Sequence, residues 1–175
     1  MSDPLCSRFN IPARLHQCGK SSISNFETGE ILYRRYDPKR ASAKLEFPEN
    51  VISTAISFDE GMSVNRSALS SSPADVLFEV KNGQHYAGHA ILVLEAIHLQ
   101  HWSFSKSTSG GTNVYTVQVE HAPTRCMYPH SEVKLLHNGI VTNDIRQKTL
   151  KAEIKRALAA ATAIAVVFNQ AVPVN

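Results

Sequence analysis

The side chains best suited to chemistry in this 175-residue chain are Arg35, Arg66 and His130. Two guanidiniums can grip a phosphate or carboxylate in forked geometry, and an imidazole beside them can move a proton near neutral pH. Glu132, two residues beyond His130, adds a carboxylate to this candidate catalytic set. Arg34, Ser63 and Asn65 lie next to the arginines in sequence and form the candidate ligand-binding set. The plainer alternative pairs Arg66 with a carboxylate such as Asp59 or Glu60, and gives His130 only a loop carbonyl to bond.

A second concentration of polar chemistry runs from Val117 to Gly139, where His121, Cys126, His130, Glu132 and His137 share one stretch. His121, Cys126 and His130 are candidate metal ligands, with Glu132 or His137 as a fourth. The spacing matches no strong zinc signature and Cys126 has no second thiol nearby in sequence, so no metal is favoured and no cofactor is expected. His85 and His89 would stand one turn apart if their segment were helical. There is no G-x-S-x-G elbow, and no Gly-Lys-Ser or Gly-Lys-Thr follows Gly110-Gly111.

These residues need elements to carry them. Ile31–Tyr36 reads as a strand ended by Asp37-Pro38, with Tyr33 and Arg35 on one face and Leu32, Arg34 and Tyr36 on the other. Val51–Phe58 reads as the next strand, and Met62–Arg66 as a short one paired with it after the turn at Asp59-Glu60-Gly61. Ser70–Ser72 before Pro73 marks the start of a short helix over Ala74–Val80. Residues 86–104 are ambiguous between helix and strand, and alternation of Ile97 and Leu99 with His98 and Gln100 favours strand. Ser105–Gly111 reads as a polar loop, and Asn113–Glu120 as a strand with Tyr115, Val117 and Val119 on one side. Thr142 or Asn143 caps the clearest helix, expected from Asp144 to about Val167, with Ile145, Leu150, Ile154, Leu158 and Ala161 along one side. Its other surfaces carry Arg146, Lys148, Lys151, Lys155 and Arg156, interrupted by Asp144 and Glu153, which suits a solvated face better than a nucleic-acid one.

The resulting class is α+β: a mainly antiparallel sheet of short strands, packed by one long C-terminal helix and a short middle helix. Residues 1–29, with Pro4, Pro12 and a serine cluster, read as an irregular or loosely docked arm, and 30–175 as a single domain. At 43% hydrophobic the chain can fill one core, and no apolar run reaches the ~18 residues of a membrane span. The first residues do not read as a secretory signal. Three cysteines without a C-x-x-C pair argue against a disulfide framework and for a reducing compartment, the cytoplasm. A net charge of +3 permits nucleic-acid contact without requiring it.

The segments Tyr33-Arg34-Arg35, Ile52–Phe58, Met62–Leu69 and Tyr128–Val133 together resemble a group of small bacterial soluble proteins of unassigned function. In that group an arginine-bearing strand precedes a Ser-Val-Asp-Arg segment and a later Pro-x-His strand. This chain has Asn65 where the resemblance expects an aspartate. Arg34 or Arg35 followed by Ser107-Thr108-Ser109 also looks like the ADP-ribosyltransferase pattern, but no Glu-x-Glu follows. With no complete catalytic set, the expected function is a non-enzymatic protein-interaction module with a protein partner and no membrane. The alternative is an enzyme or binder for a phosphate-bearing ligand, nucleotide or nucleic acid, using Arg35, Arg66 and His130.

Overall fold

Alternating apolar residues along the chain build one antiparallel sheet in the computed structural model, which describes residues 3–17, 20, 25–40, 61–79, 84–86, 88–143 and 148–167. Its main strands are β1 (Ile31–Tyr36), β2 (Met62–Arg66), β5 (Ala90–Glu95), β6 (Ser103–Thr108), β7 (Gly111–His121), β8 (His130–His137) and β10 (Thr162–Val167). They lie in the order β10-β5-β1-β2-β8-β7-β6, and β9 (Ile140–Val141) pairs with β8. Two short strands, β3 (Phe78–Glu79) and β4 (Gln84–His85), form a separate pair. The helices are α1 (Pro4–Arg8), α2 (Ala96–Gln100) and α3 (Lys148–Ala161).

Directly opposed residues on neighbouring strands project to the same side of a sheet. Leu32 faces Leu94 and Arg66, Met62 faces Val133, and Val133 faces Val119, so these side chains share one face. On that face α2 and α3 deliver Leu99, Leu150, Ile154, Leu158 and Ala161 into the main core. Each fully buried leucine there contributes about 1.5–3 kcal/mol. The α+β class is the one expected, with the long helix on the core face.

Among the described residues, the opposite face is covered only in part. Over β1 and β5, a 3-10 turn at Pro73–Leu77 packs Ala74 and Leu77 on Ile91 and Tyr33. Ser72 caps it and Pro73 opens it, as read from sequence; it is a 3-10 turn ending in β3, in place of the helix expected through Val80. Residues 3–17 and 20 cover the loop before β8. They hold α1, and Cys6, Ile11 and Leu15 are buried against Cys126 and Met127.

Several expectations are corrected. Cys6 and Cys126 form a disulfide with Cα atoms 5.4 Å apart, so the cysteines do not all remain thiols. Their separation of 120 residues hides the pair from any spacing rule. Within the stretch read as a loosely docked arm, residues 3–17 are therefore held to the loop before β8. The last helix stops at Ala161, and Thr162–Val167 forms a strand on β5, at the edge of the sheet among the described residues, because β-branched Thr, Ile and Val suit a pleated surface. Ala96–Gln100 is helical, with Leu99 buried and Ile97 exposed, where alternation suggested strand. Ser103–Thr108 is β6 and not a loop, since Gly111 opens the partner strand of a tight hairpin. β2 pairs with β1 and β8. The strand expected at Val51–Phe58 and the helix start at Asp144 lie outside the described residues. No helix among the described residues is long and apolar enough to cross a membrane.

Candidate functional site

Arg66 closes β2 on the core face, where water cannot solvate it. Its side chain is 1% exposed and that of Glu30 is 0%. Nε donates to Glu30 Oε1 at 2.7 Å and Nη2 to Oε2 at 2.8 Å, a forked pair that fits planar guanidinium to carboxylate. Nη2 also donates to the Asn25 carbonyl at 2.6 Å, and the Phe26 ring covers the guanidinium at 4.0 Å. Arg66 is thus a buried strut paired with Glu30, while Asp59 and Glu60 lie outside the described residues.

Arg35 lies on the other face. Its opposite on β5 is Ile91, and its guanidinium lies 3.6 Å from the centroid of the Tyr86 ring. His130 shares that face, opposite Asn65 and, through it, Tyr33. His130 Nδ1 donates to the Ala122 carbonyl at 2.6 Å. Two strand spacings and two residues separate Arg35 from His130, on the order of 12 Å. Each is engaged by its own neighbour, Tyr86 for Arg35 and the Ala122 carbonyl for His130, and Arg66 lies on the opposite face from both.

The remaining candidates are engaged in structure. Asn65 is buried, with Nδ2 3.3 Å from Met127 Sδ. Ser63 is opposite Glu132, and its carbonyl accepts a hydrogen bond from Arg34 Nη1 at 2.6 Å. Burial, with the neighbouring charge of Arg35, lowers the Arg34 pKa to about 10, so it remains a cation at neutral pH. Glu132 is half-buried with Lys134 Nζ at 3.3 Å, while Glu120 takes the same ammonium at 2.7 Å. On β6, Ser107 and Thr108 are four strand spacings from β1, on the order of 19 Å, so the arginine and serine motifs do not converge.

The proposed metal set does not assemble either. Cys126 is consumed by the disulfide. His121 is buried edge-on to Tyr128, with Nδ1 3.4 Å from Ser131 Oγ and no partner for Nε2 among the described residues. His137 stacks on Tyr115 and bonds Asn113 Oδ1 at 2.9 Å. His85 ends β4 and His89 follows a turn, so the two do not share a helical face. No metal-holding group of histidines, cysteines or acids occurs among the described residues. On the last helix, Lys151 is exposed and Arg156 pairs with Glu153, while Arg146 and the Lys148 side chain lie outside the description.

Sequence reasoning missed two features. His16 is 1% exposed, receives the Asp3 amide on Nδ1 at 2.9 Å and donates Nε2–H to the Ile11 carbonyl at 2.9 Å. Asp3 in turn takes Arg125 Nε at 2.7 Å and Nη2 at 3.0 Å. The second feature is a set of exposed apolar side chains around the turn that follows β8. Val114, Val141 and Ile140 are 37%, 59% and 74% exposed, and the Asn138-Gly139 turn before β9 was its one readable signal. No protein-family model matches the chain, and no curated protein or solved structure matches it.

Proposed function

We propose that this protein is a non-enzymatic interaction module that receives an extended segment of a partner protein along the outer edge of β6. The observation that carries this reading is the placement of β6. It ends the sheet order, pairs with β7 alone among the described residues, and is exposed at Ser103, Ser105 and Ser107. A sheet edge of this kind accepts an added strand through main-chain hydrogen bonds, and neighbouring apolar side chains set specificity. Val114 stands opposite Ser105, on the open face next to that edge. The dispersal of Arg35, Arg66 and His130 favours this reading over catalysis by that trio.

Affinity capture from the native host, followed by hydrogen exchange on the purified pair, tests the reading. Amides of residues 103–108 should gain protection in the complex. Val114→Asp, beside the edge and 37% exposed, should abolish capture with unchanged thermal melting. Failure to recover a stoichiometric partner, or protection confined to another surface, would sink it. Kinship with the small bacterial proteins belongs to the same proposal and rests on motif order alone.

Cytoplasmic residence and the Cys6–Cys126 bond make opposite demands on redox state. Thiol trapping in host lysate decides between them: alkylated Cys6 and Cys126 support the cytoplasm, and a protected bond supports an oxidising compartment.

A further inference from the structure

On the core side of the sheet, β6 carries two side chains that an added strand would meet. Phe104 faces Tyr115 across the β6–β7 pair and Lys106 faces Asn113, while Tyr115 in turn faces His137 on β8. The result is a row of rings that runs out to the edge. Tyr115 stacks on His137 with centroids 4.6 Å apart, and Phe104 follows at 6.3 Å from Tyr115. Phe104 is half-buried and ends the row. Two residues along the same face, Lys106 is exposed, and the sequence holds no Asp or Glu between Glu95 and Glu120. The alternate residues of β6, Ser103, Ser105 and Ser107, are small and project to the other face.

A strand laid against β6 sets one residue opposite each of these side chains, and directly opposed aromatic pairs and opposite charges are the favourable ones. Antiparallel addition continues the pairing of β6 with β7 and is the more stable per residue. A ring opposite Phe104 lengthens the aromatic row, and a carboxylate two positions earlier in the partner meets Lys106. We propose that the partner's segment carries an acid-x-aromatic motif, Asp or Glu followed two residues later by Phe, Tyr or Trp, docked antiparallel with the acid on Lys106 and the ring on Phe104. The proposal rests on the reading of β6 as a strand-accepting edge and names what that edge selects. A second copy of this chain fits less well, because β6 has no acid of its own to set against Lys106.

The test is a titration of the full chain with capped synthetic peptides. It is read by the amide NMR shifts of residues 103–108 and by the fluorescence of Trp102, the sole tryptophan, two residues before Phe104. The probes are Thr-Glu-Val-Phe-Thr-Val, a version with Lys for Glu, a version with Ser for Phe, and the first sequence reversed. The first should give saturable shifts at residues 103–108 and bind about threefold tighter than each of the others, the worth of one cross-strand pair. Lys106→Glu, at an exposed site, should reverse the charge preference, so that the Lys peptide binds this variant tighter than the Glu peptide does. Equal affinity of all four peptides at residues 103–108, or no reversal in Lys106→Glu, would overturn the motif and leave the edge standing. Shifts confined to another surface, or none with any peptide, would overturn the motif together with the edge. Protection of residues 103–108 that grows with protein concentration alone would make a second copy the occupant and overturn the proposal.

Discussion

Arg66 and Glu30 hold each other through two hydrogen bonds, at 2.7 and 2.8 Å, with both side chains withdrawn from water. Removing one partner strands the other's charge in a medium that cannot solvate it. Glu30→Gln should therefore cost about 3–5 kcal/mol in urea denaturation. Replacing both, as Glu30→Leu with Arg66→Met, should cost less than either single change. A stable, well-folded Arg66→Ala protein would contradict the structural role assigned here.

The Cys6–Cys126 bond joins the first helix to the loop before β8. It restricts the unfolded chain across a long loop, so reduction should lower stability by about 2–4 kcal/mol. The double variant Cys6→Ala, Cys126→Ala should show the same loss and no response to reductant. An unchanged denaturation midpoint on reduction would exclude a stabilising bond.

His121 makes stability depend on pH in mildly acidic solution. Burial, then the Arg66 charge, lowers its folded pKa below the ordinary 6.5. The unfolded chain therefore binds the extra proton first, and the stabilisation present above 6.5 is lost as pH falls through the folded value. His121→Phe should flatten the slope of unfolding free energy in that window. Asp3 acts lower: its hydrogen bond from Arg125 depresses its pKa below 3.8, so its contribution fades only as pH falls past that value.

The turn between β8 and β9 places Asn138 at φ 49° and Gly139 at φ 81°. No atom lies within 4 Å of where a Gly139 Cβ would be, so Gly139→Ala carries a backbone penalty without a clash. A cost of about 1 kcal/mol is expected by thermal or chemical denaturation. A much larger loss would point to a packing role for this turn.

Period-two patterning was readable wherever one sheet face is buried and the other wet. Tyr115, Val117 and Val119 alternate with exposed Val114, Gln118 and Glu120, and β7 follows that pattern. The same logic failed at Ala96–Gln100, which is helical, and helical spacing was extended too far over the strand Thr162–Val167. A short apolar run fits a helix or a strand equally well until its neighbours are known. The Asn138-Gly139 pair carries the hairpin signal of the turn between β8 and β9.

Local sequence decided what could be solved locally: the α+β class, the faces of Ile31–Tyr36, the cap at Ser72 and the amphipathic stretch Leu150–Ala161. Tertiary structure alone decided which distant groups meet. It gave Arg66 to Glu30 and Cys6 to Cys126, and sent Arg35 and Arg66 to opposite faces. The reason is physical: helix and strand periods are written in adjacent residues, whereas pairing across a sheet depends on strand order and register, which no short stretch of chain encodes.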